Sequence, residues 1–156
     1  KIHSLLAYDV ILGSVHCVKY KDLEKPYSGI DFSRFTTEQI YSYLDCYFND
    51  MLEMLSTTDF DVLTHMTCPL RYITGKYGIK VDLSDFDGKI TEILKEIIHK
   101  HIALEVNTSG YVSLNESMPN KEILKKYFQG IHGLVPNNAK KPLTGKVTDS
   151  ILVKKK

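Results

Sequence analysis

Phe60-Asp61-Val62-Leu63-Thr64-His65-Met66-Thr67-Cys68-Pro69-Leu70-Arg71-Tyr72 decides how this chain is read. Its first residues form a short apolar run, as expected of a buried strand. His65 stands where that strand should end, and Arg71 follows six residues later, beyond Pro69. Proline has no amide N–H to give a sheet, so the segment after it does not extend a central strand. In a parallel α/β fold the loops at the carboxyl edge of the strands collect the chemistry, because a rigid base holds their side chains. A histidine there binds metal or moves protons, and an arginine fork beside it suits phosphate or carboxylate.

Upstream, Asp9 to Val18 is a nearly continuous apolar run, the pattern of a strand covered on both faces, with His16 towards its carboxyl end. Pro26, Tyr27, Ser28 and Gly29 then read as turn material. Thr36 and Gln39 have the spacing of a capping box, so a helix is predicted to start there. Ile40, Leu44, Phe48, Met51 and Leu55 recur at steps of four and three and give it one apolar face, which Ser56-Thr57-Thr58 ends. Tyr41, Tyr43, Tyr47 and Phe48 read as core and rim of this helix rather than as a stacking platform.

Downstream, a loop is predicted around Gly75 and Gly78, followed by a second helical face of Ile90, Ile93, Leu94, Ile97 and Ile98. Ile102 to Gly110 reads as a third buried strand, with Glu105 and Asn107 on one side of it at period two. A third helix is marked by Pro119, by Ile123, Leu124, Tyr127 and Phe128, and by Gly130 as its stop. Strands therefore alternate with helices, which implies βαβ units and a parallel sheet. Each strand closes on polar residues: His16, His65, then Glu105 with Asn107. Taken singly, either histidine reads as structural. At the ends of successive strands the pair reads as ligands for zinc, manganese or iron. A buried Glu105 has to meet a cation, a proton or a hydrogen-bond network, since an unpaired buried carboxylate costs on the order of several kcal/mol. His99 and His101 flank a helix end, where the macrodipole favours a cation, and His3 and His132 follow no pattern; all four read as structural or solvated.

The chain as a whole, 156 residues with 43% hydrophobic and 25% charged residues and a net charge of +1, has the size and balance of one globular domain. Nothing in that balance points to nucleic acid or a membrane surface as partner. No apolar run approaches the roughly 20 residues that span a bilayer, and no signal peptide is visible. Cys17, Cys46 and Cys68 lack CxxC spacing and read as reduced thiols of a cytoplasmic protein. From Gly130 on, lysines dominate and amphipathic period disappears. Residues 1–130 are therefore expected to form the α/β domain and 131–156 a Lys-rich, loosely ordered tail, in which only Ser150-Ile151-Leu152-Val153 could add to a strand.

Three segments together resemble the polymerase-and-histidinol-phosphatase (PHP) superfamily: Leu12-Gly13-Ser14-Val15-His16, the organising strand with Pro69-Leu70-Arg71-Tyr72, and Leu104-Glu105-Val106-Asn107-Thr108-Ser109-Gly110. The likeness runs over roughly residues 5–128 and is nearest to the histidinol-phosphate phosphatase branch. It implies a distorted, TIM-like (β/α)7 barrel with a cluster of divalent metals, present here in part. It further implies hydrolysis of a phosphomonoester, L-histidinol phosphate of histidine biosynthesis, by metal-activated water. On this likeness His16 and His65 are metal ligands, Arg71 holds the phosphate, and Glu105 and Asn107 line the site. The family's opening His-x-His pair, an acidic ligand from the next strand and a closing Asp-Ala-His have no counterpart here. The chain thus reads as cut from something longer, and its tail as a shifted reading frame or an unrelated replacement. With about half the ligands missing, little phosphatase activity is expected of the chain alone. Its open barrel edges are expected to favour a homo-oligomer. A phosphoesterase for another small phosphomonoester, and a non-catalytic fragment that self-associates, are the alternatives.

Overall fold

A computed structural model describes residues 8–23, 25–134 and 150–153. It shows a mixed α/β fold. Strands β1 (Leu12–Gly13), β2 (Val62–Leu63) and β3 (Ala103–Asn107) lie side by side in parallel, in the order in which they occur in the chain. Leu12 pairs with Val62 and Gly13 with Leu63, while Val62 pairs with Ala103 and Leu63 with Leu104. A fourth strand, β4 (Ser150–Val153), pairs antiparallel with β3, from Leu104 opposite Val153 to Asn107 opposite Ser150. The weak strand signal in the tail is thus a strand, but it runs against the all-parallel expectation.

Helix α1 (Thr37–Thr57) starts where its capping box predicts. Thr36 Oγ1 accepts the Gln39 amide at 3.3 Å, and Gln39 Oε1 accepts the Thr36 amide at 2.8 Å. Its apolar face is buried throughout, and Tyr43 and Tyr47 are buried with it. Helix α3 (Asp87–His99) buries Ile90, Ile93, Leu94 and Ile97 and packs between α1 and helix α5 (Lys121–Leu134). Tyr43, Phe32, Phe35 and Tyr20 meet mostly edge to face beside α1, and Phe48 leans on Phe86 at a centroid distance of 5.3 Å. That arrangement suits aromatic quadrupoles better than face-to-face stacking.

Four expectations need correction. The first apolar run is not a long strand covered on both faces. Only Leu12–Gly13 pairs, and Val10 and Leu12 are 45% and 59% exposed, because β1 lies at the sheet's edge. The segment around Gly75 is not a loop but helix α2 (Pro69–Tyr77). Pro69 sits in its first turn, where the missing N–H is harmless, and Gly78 ends it in the left-handed conformation at φ 68°. Gly130 does not stop α5, which runs on to Leu134. A Cβ at Gly130 would sit 2.6 Å from Ile98 Cδ1, so the glycine serves the close approach of α5 to α3. Lastly, Gly110 opens a one-turn helix, α4 (Gly110–Ser113), rather than closing a strand.

Residues 131–134 therefore belong to α5 and 150–153 to β4; the rest of the Lys-rich tail, and His3, lie outside the described residues. Among the described residues no helix is long and apolar enough to cross a membrane. Cys17, Cys46 and Cys68 are all free, and His99 and His101 are exposed at the end of α3.

Candidate active site at the strand ends

Where β2 stops, its chain turns sharply. Thr64 still belongs to the sheet: its amide and its hydroxyl both donate to the Gly13 carbonyl, at 2.9 and 3.1 Å. The next residue, His65, is left-handed at φ 63°. For a side chain with a Cβ this conformation costs roughly 1–2 kcal/mol, so other contacts must hold it. Three do. Its amide donates to Glu105 Oε2 at 2.9 Å, while its carbonyl accepts the Tyr47 hydroxyl at 2.5 Å and the Cys68 amide at 3.0 Å. Glu105 is buried on β3, the neighbouring strand, and Tyr47 is fully buried on α1.

This turn carries the imidazole towards His16. The two rings lie 4.8 Å apart, edge to face, although 49 positions separate them in the sequence. Tyr27 organises both. Its ring stacks on His16 with 14° between planes and centroids 5.6 Å apart, and its hydroxyl lies 3.3 Å from His65 Nδ1. Tyr72, on α2, packs against Tyr27 at 5.6 Å. His16 itself is exposed and so open to solvent or ligand.

The electrostatics follow from burial. His65 holds its proton less readily than an ordinary imidazole, chiefly because burial penalises the cation; Glu105 opposes this and His16 adds to it. Burial raises Tyr27 well above the usual phenol range and pushes the Cys68 thiol up to about 12, with Glu105 adding to both. At neutral pH the tyrosine is therefore a neutral hydrogen-bonding group, and Cys68 is no thiolate nucleophile.

The remaining predicted residues form a second group on the same rim. Asn107, at the end of β3, accepts the Ser109 amide at 3.0 Å and the Ser109 hydroxyl at 2.6 Å through Oδ1. With its proton committed there, the Ser109 oxygen accepts from Arg71 Nη1 at 3.3 Å. Arg71 lies in the first turn of α2, exposed, and forms no carboxylate ion pair among those of the described residues. An arginine held by a hydroxyl rather than a carboxylate keeps its charge for an external anion.

All five predicted site residues thus fall on one edge of the sheet, in two groups: His16, His65 and Glu105, then Asn107 and Arg71. Sequence reasoning missed Tyr27, Tyr47 and Ser109 as members of the site. Tyr27 looks like turn material and Tyr47 like plain helix core, which its burial also makes it. Only Ser109, inside a motif that already held Asn107, left a local signal, since an Asx turn two residues on is a standard use of asparagine.

Two neutral imidazoles are the right donors for a divalent ion, yet zinc takes four ligands. Among the described residues no group of three or more His, Cys, Asp or Glu is arranged to hold a metal. His16 and His65 therefore fit as part of a ligand set only, and Glu105 Oε2 already accepts the His65 amide. No protein-family model matches the chain, and neither a curated protein nor a solved structure matches it.

Proposed function

We propose that this chain is part of a metal-dependent phosphomonoester hydrolase of the PHP kind, acting on L-histidinol phosphate, and that its sheet is a piece of that family's (β/α)7 barrel. One observation carries the reading. Residues from three separate strand ends meet on one rim, with two imidazoles 4.8 Å apart and an arginine lacking a carboxylate partner among the described residues' ion pairs. Among the described residues, His16 and His65 would hold a divalent ion (zinc, manganese or iron), which supplies an acidified water and neutralises charge on the phosphoryl oxygens. Arg71 would take two phosphate oxygens in its fork, oriented by the Asn107–Ser109 pair. Tyr27 would hold the His16 ring by stacking and meet His65 at Nδ1. The chemistry would run in the cytoplasm, on a small soluble substrate.

The chain alone should bind metal better than it turns over substrate, because among the described residues the two imidazoles make only part of a ligand set. Titration of the purified chain with zinc is expected to show one bound ion per chain, reduced at least about tenfold in affinity by His65→Ala or His16→Ala. Hydrolysis of an aryl phosphate, where present, should vanish in the same variants and weaken in Arg71→Ala. A chain that takes up no zinc and no manganese, or whose uptake ignores both histidines, overturns the reading.

One observation favours a second reading, a non-catalytic piece that associates with copies of itself. Tyr8, Val10 and Leu12 leave 56%, 45% and 59% of their surface exposed along the edge strand and its approach. Concentration-dependent association that Leu12→Lys abolishes, in a chain without metal affinity, would support it.

A further inference from the structure

His65 is the residue on which the two groups of the site turn, and its conformation is held from outside its own segment. We propose that Glu105 and Tyr47 form a clamp that fixes the His65 backbone in the left-handed turn and so aims its imidazole at His16. Glu105 is then a positioning residue, not a ligand.

The geometry carries this. A left-handed histidine directly after a strand is a conformation the chain does not choose locally. Its amide and its carbonyl are each met by a buried side chain from a different element. Glu105 Oε2 reaches the amide from β3, and Tyr47 Oη reaches the carbonyl from α1. Register explains the first contact. Leu63 pairs with Leu104, so Thr64 lies opposite Glu105, and the carboxylate reaches one residue further to the first amide the sheet no longer serves. Buried carboxylates need such partners, and an amide bonded to a charged acceptor is held more firmly than one bonded to a neutral acceptor. Burial of both side chains keeps water from competing for either bond. The Cys68 amide, bonded to the same carbonyl, ties the clamp to the start of α2 and hence to Arg71. One strained residue thereby sets the spacing between the imidazole pair and the arginine.

The inference rests on the proposed function only for what the aimed imidazole does. The test therefore reads conformation and metal separately, on the full chain. Backbone NMR of the wild type is expected to give left-handed chemical shifts for His65 and a slowly exchanging His65 amide. Glu105→Met should lose that protection by about tenfold or more, as for a hydrogen bond to a charged group. Glu105→Gln, which keeps a carbonyl acceptor, should restore most of it. Tyr47→Phe, which removes one oxygen and little volume, should shift His65 away from the left-handed region and decides alone if Glu105→Met does not fold. Zinc affinity should follow the same order, falling about ten- to a hundredfold in Glu105→Met. If His65 stays left-handed and protected in Glu105→Met and Tyr47→Phe, there is no clamp. Zinc affinity equal in all variants also overturns the aiming role while leaving the phosphatase reading intact. A wild-type chain that takes up neither zinc nor manganese overturns that reading, and the amide measurements then decide the clamp by themselves.

Discussion

Helix α1 and the rim at the end of β2 are neighbours held together by opposite means. In α1 the bonds that fix the ends are short in sequence: Thr36 with Gln39, and Thr58 with Met54. Its buried face repeats every three or four residues. On the rim the bonds that bring separate elements together are long. His65 meets Tyr47 across 18 residues, Tyr27 across 38 and Glu105 across 40, and Arg71 meets Ser109 across 38. The difference teaches where each kind of order comes from. A helix layer follows from local pattern and apolar burial, whereas a site of this kind exists only once the sheet has fixed its register.

The sharpest way to break this contrast is to hollow out the helix layer. Phe48 is buried between Tyr47 and Phe86. Phe48→Ala is expected to cost about 3–5 kcal/mol in urea unfolding, taking the rim with it because Tyr47 is the adjacent residue. A loss below roughly 1 kcal/mol, the range of a half-exposed site, would mean that α1 is not the base the rim stands on.

A milder change sharpens the contrast. Thr36→Ala removes the cap and should cost about 1 kcal/mol. Because cap and rim share no bond, the His65 amide signals should not move. Movement there would show the two regions coupled through α1.

The smallest expected effect is on pH. Burial lowers the His65 pKa, so between its folded value and the unfolded value of about 6.5 the unfolded chain binds more protons. Stability should then be fully present above about pH 6.5 and fall as the solution is acidified through that window. His65→Gln should flatten the slope between pH 7 and 5, above the range where the depressed carboxylates Asp31, Asp82 and Glu122 titrate. An unchanged slope would mean that His65 is as solvated as a surface imidazole.

The same contrast explains how much was legible in the sequence. The faces of α1 and α3, the capping box and the order of the three parallel strands were, because each has a period or a spacing. Helix α2 was not, since Gly75 and Gly78 look like loop and Pro69 looks like a break, while a proline in the first turn is also a normal helix start. Exposure of β1 was hidden too, because an apolar run looks the same at an edge as in the middle of a sheet. Of the candidate site, His16, His65, Glu105 and Asn107 could be named from strand ends, and Arg71 from its place beyond Pro69. Their partners could not, as nothing near position 27 or 47 announces a hydroxyl aimed at position 65.

The brevity of β1 has a consequence for what holds the strands together. Bringing Ile11 to Asp61 closes a loop of 50 residues, an entropic cost of roughly 3.5 kcal/mol before any constant is added. At about 1 kcal/mol net per hydrogen bond the two paired residues alone would not offset that cost, and the bonds of Ile11 with Asp61 and Val62 and of Thr64 with Gly13 bring the pairing only to rough balance. Strand pairing here is thus marginal by itself, and the surplus that holds the strands together comes from Leu63 and Leu104 sharing one core with the apolar faces of α1 and α3.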